Sequence, residues 1–222
     1  MGTVSGPGVS WWDSFQTILD PSSNLLYAGS GFTFSNPLGY KGWSDWSMTD
    51  NTNLIAGSGI SKYVKQTSKN QFQQKIVQTT NVGSDKFTFI FLYKVAKTGT
   101  DSTIIQWNSN NLTYTHSAAG EMTMRHHNVD FTTSGLAMTD DVWRHYVYTR
   151  SGTAATMYVN GIGFTTFTGL SANLSNAVDT KMFDYIGCDG AIGQAWFNLG
   201  LAITSTQVLQ HYRAFRHRFG IQ

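Results

Sequence analysis

Hydrophobic and polar residues alternate along short stretches of this chain, and turn residues separate one stretch from the next. The clearest stretch, Val142–Phe164, predicts two strands joined at Ser151-Gly152-Thr153 and followed by a turn at Asn160-Gly161. Lys86–Val95 is apolar on both faces, which predicts a central strand buried on two sides. The pattern therefore predicts an all-β fold. The predicted strands are Gly31–Ser35, Gln71–Thr79, Lys86–Val95, Ser102–Asn108, Leu112–His116, Glu121–Asn128, Val142–Arg150, Ala155–Val159, Met182–Ile186 and Gly193–Leu201.

Two segments have a helical period instead. Ser10–Leu19 begins with a capping-box pattern and predicts a short helix, which either plugs one end of the fold or docks on a neighbouring subunit as an arm. In the arm interpretation the interface residues are Trp11, Trp12, Phe15, Ile18 and Leu19. Thr204 or Ser205 begins a second helix that runs to about His217. Its basic end either complements the helix dipole or forms a docking surface for an acidic partner; the residues are Arg213, Arg216, His217 and Arg218.

Composition narrows the class of protein. The chain has 222 residues, which suits one large all-β domain. We divide it into an N-terminal arm or plug, residues 1–22, and a single β-sandwich domain, residues 23–222. The formal net charge of +2 gives no general electrostatic case for binding nucleic acid or a membrane. The single cysteine excludes an internal disulfide framework. The first residues lack the pattern of a signal peptide, so we expect synthesis and assembly in a cytoplasm.

Two sequence patterns resemble a known family. Trp143-Arg-His-Tyr followed by Tyr158-Val-Asn-Gly is similar to a strand pair of laminin-G-like and concanavalin-A-like sandwich domains. The chain's ending resembles those of bacteriophage structural and tail proteins with this sandwich, through Gln210, Tyr212, Ala214, Arg218, Gly220 and Ile221. The likeness runs from Lys86 to the end. It implies a two-layer antiparallel jelly-roll sandwich with a short C-terminal helix, and it favours a binding protein over an enzyme.

The acidic residues do not form the pattern of a glucanase. Retaining enzymes with this sandwich place two carboxylates about 5 Å apart, whereas this chain has one glutamate, Glu121, and no such run. His126 and His127 are adjacent, so on a strand they point to opposite faces and do not share one metal ion. Many relatives bind calcium. The candidate oxygen ligands in this sequence are Asp179, Asp184 and Asp189, but they do not form a known calcium-binding pattern, so no calcium site is assigned. We therefore expect that the protein has no enzymatic activity and requires no cofactor.

Tryptophan is abundant, and two of the seven lie in a segment that predicts a polar loop. Exposed aromatic rings stack on sugar rings while neighbouring polar groups bind hydroxyls. Such a platform would consist of Trp43, Asp45, Trp46 and Asn51. The alternative is that the loop folds back and buries both indoles over the sandwich.

Two function classes follow from these patterns. The first is a non-enzymatic bacteriophage virion protein, a capsid-decorating or tail adhesion subunit. It would form a homo-oligomer, contact other virion proteins and bind host surface polysaccharide, and it would be located in the virion after assembly in the host cytoplasm. The second is a stand-alone carbohydrate-binding, lectin-like module. A fold does not choose between them.

Overall fold

The computed structural model describes residues 11, 15, 17–20, 22, 33–34, 43–48, 55–66, 72–76, 86–97, 102–107, 112–116, 121–126, 129–133, 141–170, 179–182 and 188–222. One helix, α1, spans Ser205–Phe215, and short 3₁₀ helices span Gly59–Ser61 and Arg216–Arg218. The strands are β1 (Thr17–Leu19), β2 (Thr33–Phe34), β3 (Trp43–Met48), β4 (Ile55–Ala56), β5 (Tyr63–Gln66), β6 (Phe72–Ile76), β7 (Lys86–Lys97), β8 (Ser102–Trp107), β9 (Leu112–His116), β10 (Met122–His126), β11 (Val129–Thr133), β12 (Arg144–Ser151), β13 (Ala154–Val159), β14 (Ile162–Phe167), β15 (Asp179–Met182) and β16 (Cys188–Leu199).

The strands form two antiparallel sheets, which are the two layers of the predicted sandwich. The first sheet has the order β14-β13-β12-β7-β16-β5-β4, and β1 also pairs with β16. The second has the order β11-β10-β9-β8-β15-β6-β3-β2. Strands distant in sequence are neighbours in both sheets, as in a jelly roll. The predicted all-β sandwich is confirmed.

The centre of the first sheet is β7, between β12 and β16. Its odd-numbered aromatic residues share one face, and Phe87 stacks on Phe89 with 5.0 Å between ring centroids. Its even-numbered residues Ile90 and Leu92 are fully buried on the other face. The predicted doubly buried strand is confirmed, because period-2 alternation with both sets apolar requires cover on both sides.

Helix α1 covers the second face of this sheet. Its N-terminus has a capping box, in which the Gln207 backbone N–H donates to the Thr204 hydroxyl and the Gln207 side chain accepts from the Thr204 backbone. The apolar side of the helix joins sheet residues in one cluster. Its buried members are Phe15, Ile90, Leu92, Val147, Trp196, Ile203, Val208, Tyr212, Phe215 and Ile221. Burial of each such side chain contributes roughly 1.5–3 kcal/mol, so the C-terminal segment is part of the core.

A register shift in β16 between Ile192 and Gln194 makes room for an aromatic ring. A Cβ on Gly193 would lie 2.2 Å from the Phe219 ring, so only glycine permits this contact. Phe219 in turn stacks on Trp143 with 4.3 Å between centroids. The bulge thus anchors the end of the chain to the first sheet.

Several sequence predictions were wrong in detail. The helix predicted over Ser10–Leu19 does not extend to its end, because Thr17–Leu19 pairs with β16 as strand β1. The polar loop predicted around Trp43 is strand β3. The strand predicted at Met182–Ile186 shares only Met182 with β15 (Asp179–Met182), and the rest of its range lies outside the described residues. Strand pairing to distant partners outweighed the local pattern at each of these positions.

Candidate functional site

The turn between β13 and β14 is held from three sides by one asparagine. Asn160 has φ = 51°, a left-handed conformation that asparagine tolerates better than most residues. Its backbone N–H donates to the His145 carbonyl at 2.8 Å, and its side-chain oxygen accepts from the His145 N–H at 3.0 Å. Its Nδ2 donates to the Gln222 carbonyl at 3.2 Å. The turn is therefore fixed to β12 and to the C-terminal segment.

Gly161 lets this turn approach helix α1 closely. Its φ is +79°, and an added Cβ would lie 2.9 Å from Tyr212 Cδ1 and 3.1 Å from Leu209 Cδ1. Both the backbone conformation and the space therefore require glycine. The pair Asn160-Gly161, which the sequence predicts as a turn, therefore also determines how closely helix α1 approaches that turn.

A groove of about 770 Å³ runs between this turn and the helix. We name it the turn groove. The strands contribute Val159, Asn160 and Ile162, the helical side contributes Leu209, Tyr212, Arg213 and Arg216, and Gln222 lies at its end. This volume is within the range of about 300–1,000 Å³ that is usual for ligand pockets.

The two faces of the groove differ in chemistry. On the strand side Ile162 is 72% exposed, the highest value among the exposed large hydrophobic residues of the described chain. On the helix side Arg213 and Arg216 are exposed, and the Arg216 guanidinium lies 5.7 Å from the Tyr212 ring centroid. Among the described residues of the lining, no side chain is acidic. The groove therefore combines an apolar wall with two cations.

Two histidines form a buried pair beneath the groove. His145 Nε2 lies 3.0 Å from His211 Nδ1, and both residues are fully buried. Burial lowers the pKa of His145 to about 3, and burial together with the His145 charge lowers the pKa of His211 well below its usual value. The Tyr212 ring, which lines the groove, lies 5.8 Å from the His145 ring. The pair is therefore neutral at neutral pH.

A buried ion pair joins the two ends of the described chain. Arg218 donates through Nη1 and Nη2 to the two carboxylate oxygens of Asp20, each at 3.0 Å. Gln194 Nε2 donates to the same carboxylate at 2.6 Å, and the Ser22 backbone N–H donates at 3.0 Å. Arg218 Nε donates to the Ile60 carbonyl at 2.7 Å. Arg218 therefore does not belong to an exposed basic docking surface, which was one of its two predicted roles.

The predicted sugar platform lies in the other sheet, away from the turn groove in the strand order. Trp43 is opposite Ile76 in the pairing of β3 with β6, and Trp46 is opposite Gln74, with a register shift between them. Asp45 belongs to the same strand. Asn51 lies outside the described residues. Trp43, Asp45 and Trp46 therefore lie on a strand rather than in a loop, and the four-residue platform stays a prediction.

The predicted interface residues have different positions in the structure. Phe15 is 1% exposed and meets Trp196 edge-on at 5.5 Å, so it packs inside the chain as a plug. Trp11 is half-buried and its Nε1 donates to Gln210 Oε1 at 3.3 Å. Ile18 and Leu19 belong to strand β1. Trp12 lies outside the described residues.

The described residues contain no group of three or more histidine, cysteine or acidic residues placed to hold a metal ion. Asp179 and Asp189 lie in β15 and β16, and Asp184 lies outside the described chain. Asp141 pairs with Lys94 at 2.8 Å. No helix in the described parts of the chain is both long and apolar enough to cross a membrane.

Sequence reasoning did not identify the turn groove. Its signals were present: Asn160-Gly161 was predicted as a turn, and Arg213 and Arg216 were noted as basic. The sequence does not show that the turn lies against the helix, since this contact depends on tertiary packing. Residues at helical spacing i, i+3 and i+4 do share a face, and this spacing relates Leu209, Arg213 and Arg216.

Comparison with known families gives one match that covers more than half of the chain. Residues 62–200 match the Laminin_G_3 family, described as the Concanavalin A-like lectin/glucanases superfamily. Comparison with curated proteins gave no match.

Solved structures with the same fold include toxin binding domains. The binding domain of botulinum neurotoxin DC in complex with SialylT has 11% identity and a TM-score of 0.69 over 92% of this chain and 52% of that chain. The same domain in complex with rat synaptotagmin II has 13% identity and a TM-score of 0.66 over 90% and 51%. A third structure is of botulinum neurotoxin type C, whose cell entry is dependent upon interaction with two ganglioside molecules; it has 11% identity and a TM-score of 0.65 over 90% and 51%. The chain spans about half the length of these structures, and at these identities the likeness is one of fold.

Proposed function

We propose that this chain, which belongs to the Concanavalin A-like lectin/glucanases superfamily, is a non-enzymatic carbohydrate-binding protein of lectin type. The observation that carries the proposal is the turn groove, a preformed concave site on a sandwich of this family. A mostly apolar groove with few convergent polar groups is the usual form of a small-molecule site. The similar toxin structures, one in complex with SialylT and one of a toxin that interacts with gangliosides, add support from fold alone.

Two described carboxylates with other partners support the non-enzymatic part of the proposal. Glycoside hydrolysis uses two carboxyl groups on opposite sides of one bond. Asp20 is held by Arg218 and Asp141 by Lys94. Glu121, the only glutamate, lies at the entry to β10 in the second sheet. The groove itself has no acidic side chain among its described lining residues.

The test is a direct binding measurement. Purified protein is applied to an array of neutral and acidic oligosaccharides, and each signal is repeated by titration calorimetry in solution. We expect saturable binding to at least one class, with the oligosaccharide recovered intact. Folded protein that binds no carbohydrate would refute the proposal. Turnover that Glu121→Gln abolishes would refute its non-enzymatic part.

Variants separate the turn groove from the platform predicted in the sequence. Trp43→Ala together with Trp46→Ala removes the platform's rings, and Ile162→Asn removes the exposed apolar wall of the groove. Loss of binding in the second variant alone assigns the ligand to the groove. Loss in the tryptophan variant alone assigns it to β3 and leaves the carbohydrate-binding function intact.

A second candidate places the chain in a bacteriophage virion, as a decorating or tail adhesion subunit present in several copies. It is supported by the likeness of the chain's ending to phage structural proteins. Several residues of that ending serve this fold internally, such as Arg218, Ile221 and Tyr212, so the likeness is explained in part by folding. We expect homo-oligomers if this setting is correct. Light scattering that finds a monomer at all concentrations, together with absence from purified particles, would contradict it.

A further inference from the structure

Arg213 and Arg216, the arginines of the turn groove, differ from Arg150 and Arg218, which are buried. Arg218 is held by Asp20, and Arg150 lies over the Phe87 ring and donates to the Gly152 carbonyl at 2.8 Å. Arg213 and Arg216 are exposed, and within the described part of the chain neither is in an ion pair. They are three residues apart, so they lie on the same side of the helix end. Their charges are available to a ligand.

The negative end of the helix dipole is too small to balance the charges of both arginines. A helix C-terminus carries about half of one negative elementary charge, whereas Arg213 and Arg216 supply two positive charges. The groove lining has no acidic side chain among its described residues that would neutralise the remainder. The two guanidinium groups at the groove are therefore suited to an anion. Arginine suits a planar carboxylate in particular, because its N–H groups form a fork.

The opposite wall distinguishes an acidic sugar from a simple anion. Ile162 is 72% exposed, and Leu209 and Val159 line the same groove. Inorganic phosphate or sulfate has no apolar surface that would use this wall. One face of a pyranose ring consists of C–H groups, and a uronic acid carries a carboxylate on the same ring. The groove thus offers both contacts that such a residue needs, within a volume of about 770 Å³.

We propose that the turn groove binds acidic saccharides, with the carboxylate of a uronic-acid-type residue on Arg213 and Arg216 and the ring's apolar face against Ile162 and Leu209. This assignment rests on the proposed carbohydrate-binding function and names its site and ligand class. Asn160, which is fixed by His145 and Gln222, holds the turn that carries the apolar wall.

The experiment compares galacturonate oligosaccharides with neutral galactose oligosaccharides of the same length, by titration calorimetry with the full chain. The acidic series should bind at least about tenfold more tightly, and binding should weaken with added salt because exposed charges are screened. The double variant Arg213→Gln, Arg216→Gln should lose at least about tenfold in affinity for the acidic series. Arg125→Gln, an exposed arginine on β10 of the second sheet, is the matched control and should bind as the wild type does.

A charge placed on the apolar wall gives an independent test. Ile162→Asp should reduce acidic-saccharide affinity more than Ile162→Asn, because only the aspartate repels the ligand's carboxylate. Ile60→Asp, at another exposed isoleucine, should have no effect. Thermal unfolding of each variant checks that it is folded, and the exposed positions make this the expected result.

The outcomes separate the two levels of the proposal. If no carbohydrate binds, the proposed function fails and this inference with it. If neutral and acidic oligosaccharides bind equally, or if the arginine variants bind normally, the function stands and the turn groove is not an acidic-sugar site. If inorganic phosphate displaces the saccharide at equal concentration, or an acidic peptide binds as tightly, the groove is a general anion site and the saccharide assignment is overturned.

Discussion

The buried histidine pair predicts a specific loss of stability in mild acid. The folded-state pKa of His145 is about 3, below its ordinary value of 6.5. The pKa of His211 is likewise lowered by burial and by the His145 charge. As pH falls below 6.5, the unfolded chain therefore takes up these protons and the folded chain does not. Stability is fully present above pH 6.5 and declines as pH falls toward 3, since the unfolded state binds more protons.

The magnitude follows from proton linkage. One histidine that stays neutral in the folded state costs about 1.4 kcal/mol of stability between pH 7.5 and 5.5, and two cost about 2.7 kcal/mol. The rings around the pair support this state, since Trp196 lies 5.2 Å and Phe215 4.5 Å from His211, and both are uncharged. Most carboxylates have ordinary pKa values of about 4 and titrate below this window.

Urea unfolding at pH 7.5, 6.5 and 5.5 measures the effect. The double variant His145→Gln, His211→Gln removes both protons while allowing one side chain to hydrogen-bond the other, so the fall in the free energy of unfolding should shrink by about 2.7 kcal/mol. His217→Gln, at an exposed histidine, should keep the wild-type pH dependence. Equal pH dependence in the wild type and the double variant would refute the burial of a neutral pair.

Three further predictions concern the framework around the groove. Asp20→Asn should lower the free energy of unfolding by about 3–5 kcal/mol, because it leaves a buried guanidinium without its charge partner, whereas Asp141→Asn, in an exposed pair, should cost under about 1 kcal/mol; urea unfolding compares them. Gly161→Ala should lower the melting temperature and Gly163→Ala should not, since a Cβ on Gly163 meets nothing closer than 3.7 Å. Deleting residues 1–20 should leave an unfolded or molten chain by circular dichroism, because the segment supplies a core ring and the ion-pair carboxylate; a stably folded truncation would show that it is a detachable arm.

The sequence predicted those parts of the fold that depend on residues close together in the chain. The alternation in Lys86–Val95 and Val142–Arg150 predicted strands β7 and β12, because the side chains of a strand alternate between its two faces. The C-terminal helix was predicted to start at Thr204 or Ser205, and Thr204 is its N-cap, since capping involves neighbouring residues. Family likeness added the sandwich, which periodicity alone does not distinguish from other all-β folds.

Contacts between distant residues were beyond the sequence. Asp20 and Arg218 are 198 positions apart, and nothing in either neighbourhood indicates the other. The His145–His211 pair spans 66 positions. The segment around Trp43 has the composition of a loop and is nevertheless a strand. It is a strand because it pairs with β6, and the local sequence does not indicate that pairing. The predicted sugar platform rested on this loop and so had the least support.

The same turn explains both the family motif and the candidate site. In the Tyr-Val-Asn-Gly sequence, Asn160 takes a positive φ and bonds to β12, while Gly161 removes the Cβ that would strike Tyr212. In this chain these constraints place the turn against α1. What they leave unspecified are the side chains flanking the contact, here Ile162 on the strand and Arg213 on the helix. The Asn160-Gly161 turn thus fixes where the groove lies, and under our proposal the neighbouring side chains set which ligand it selects.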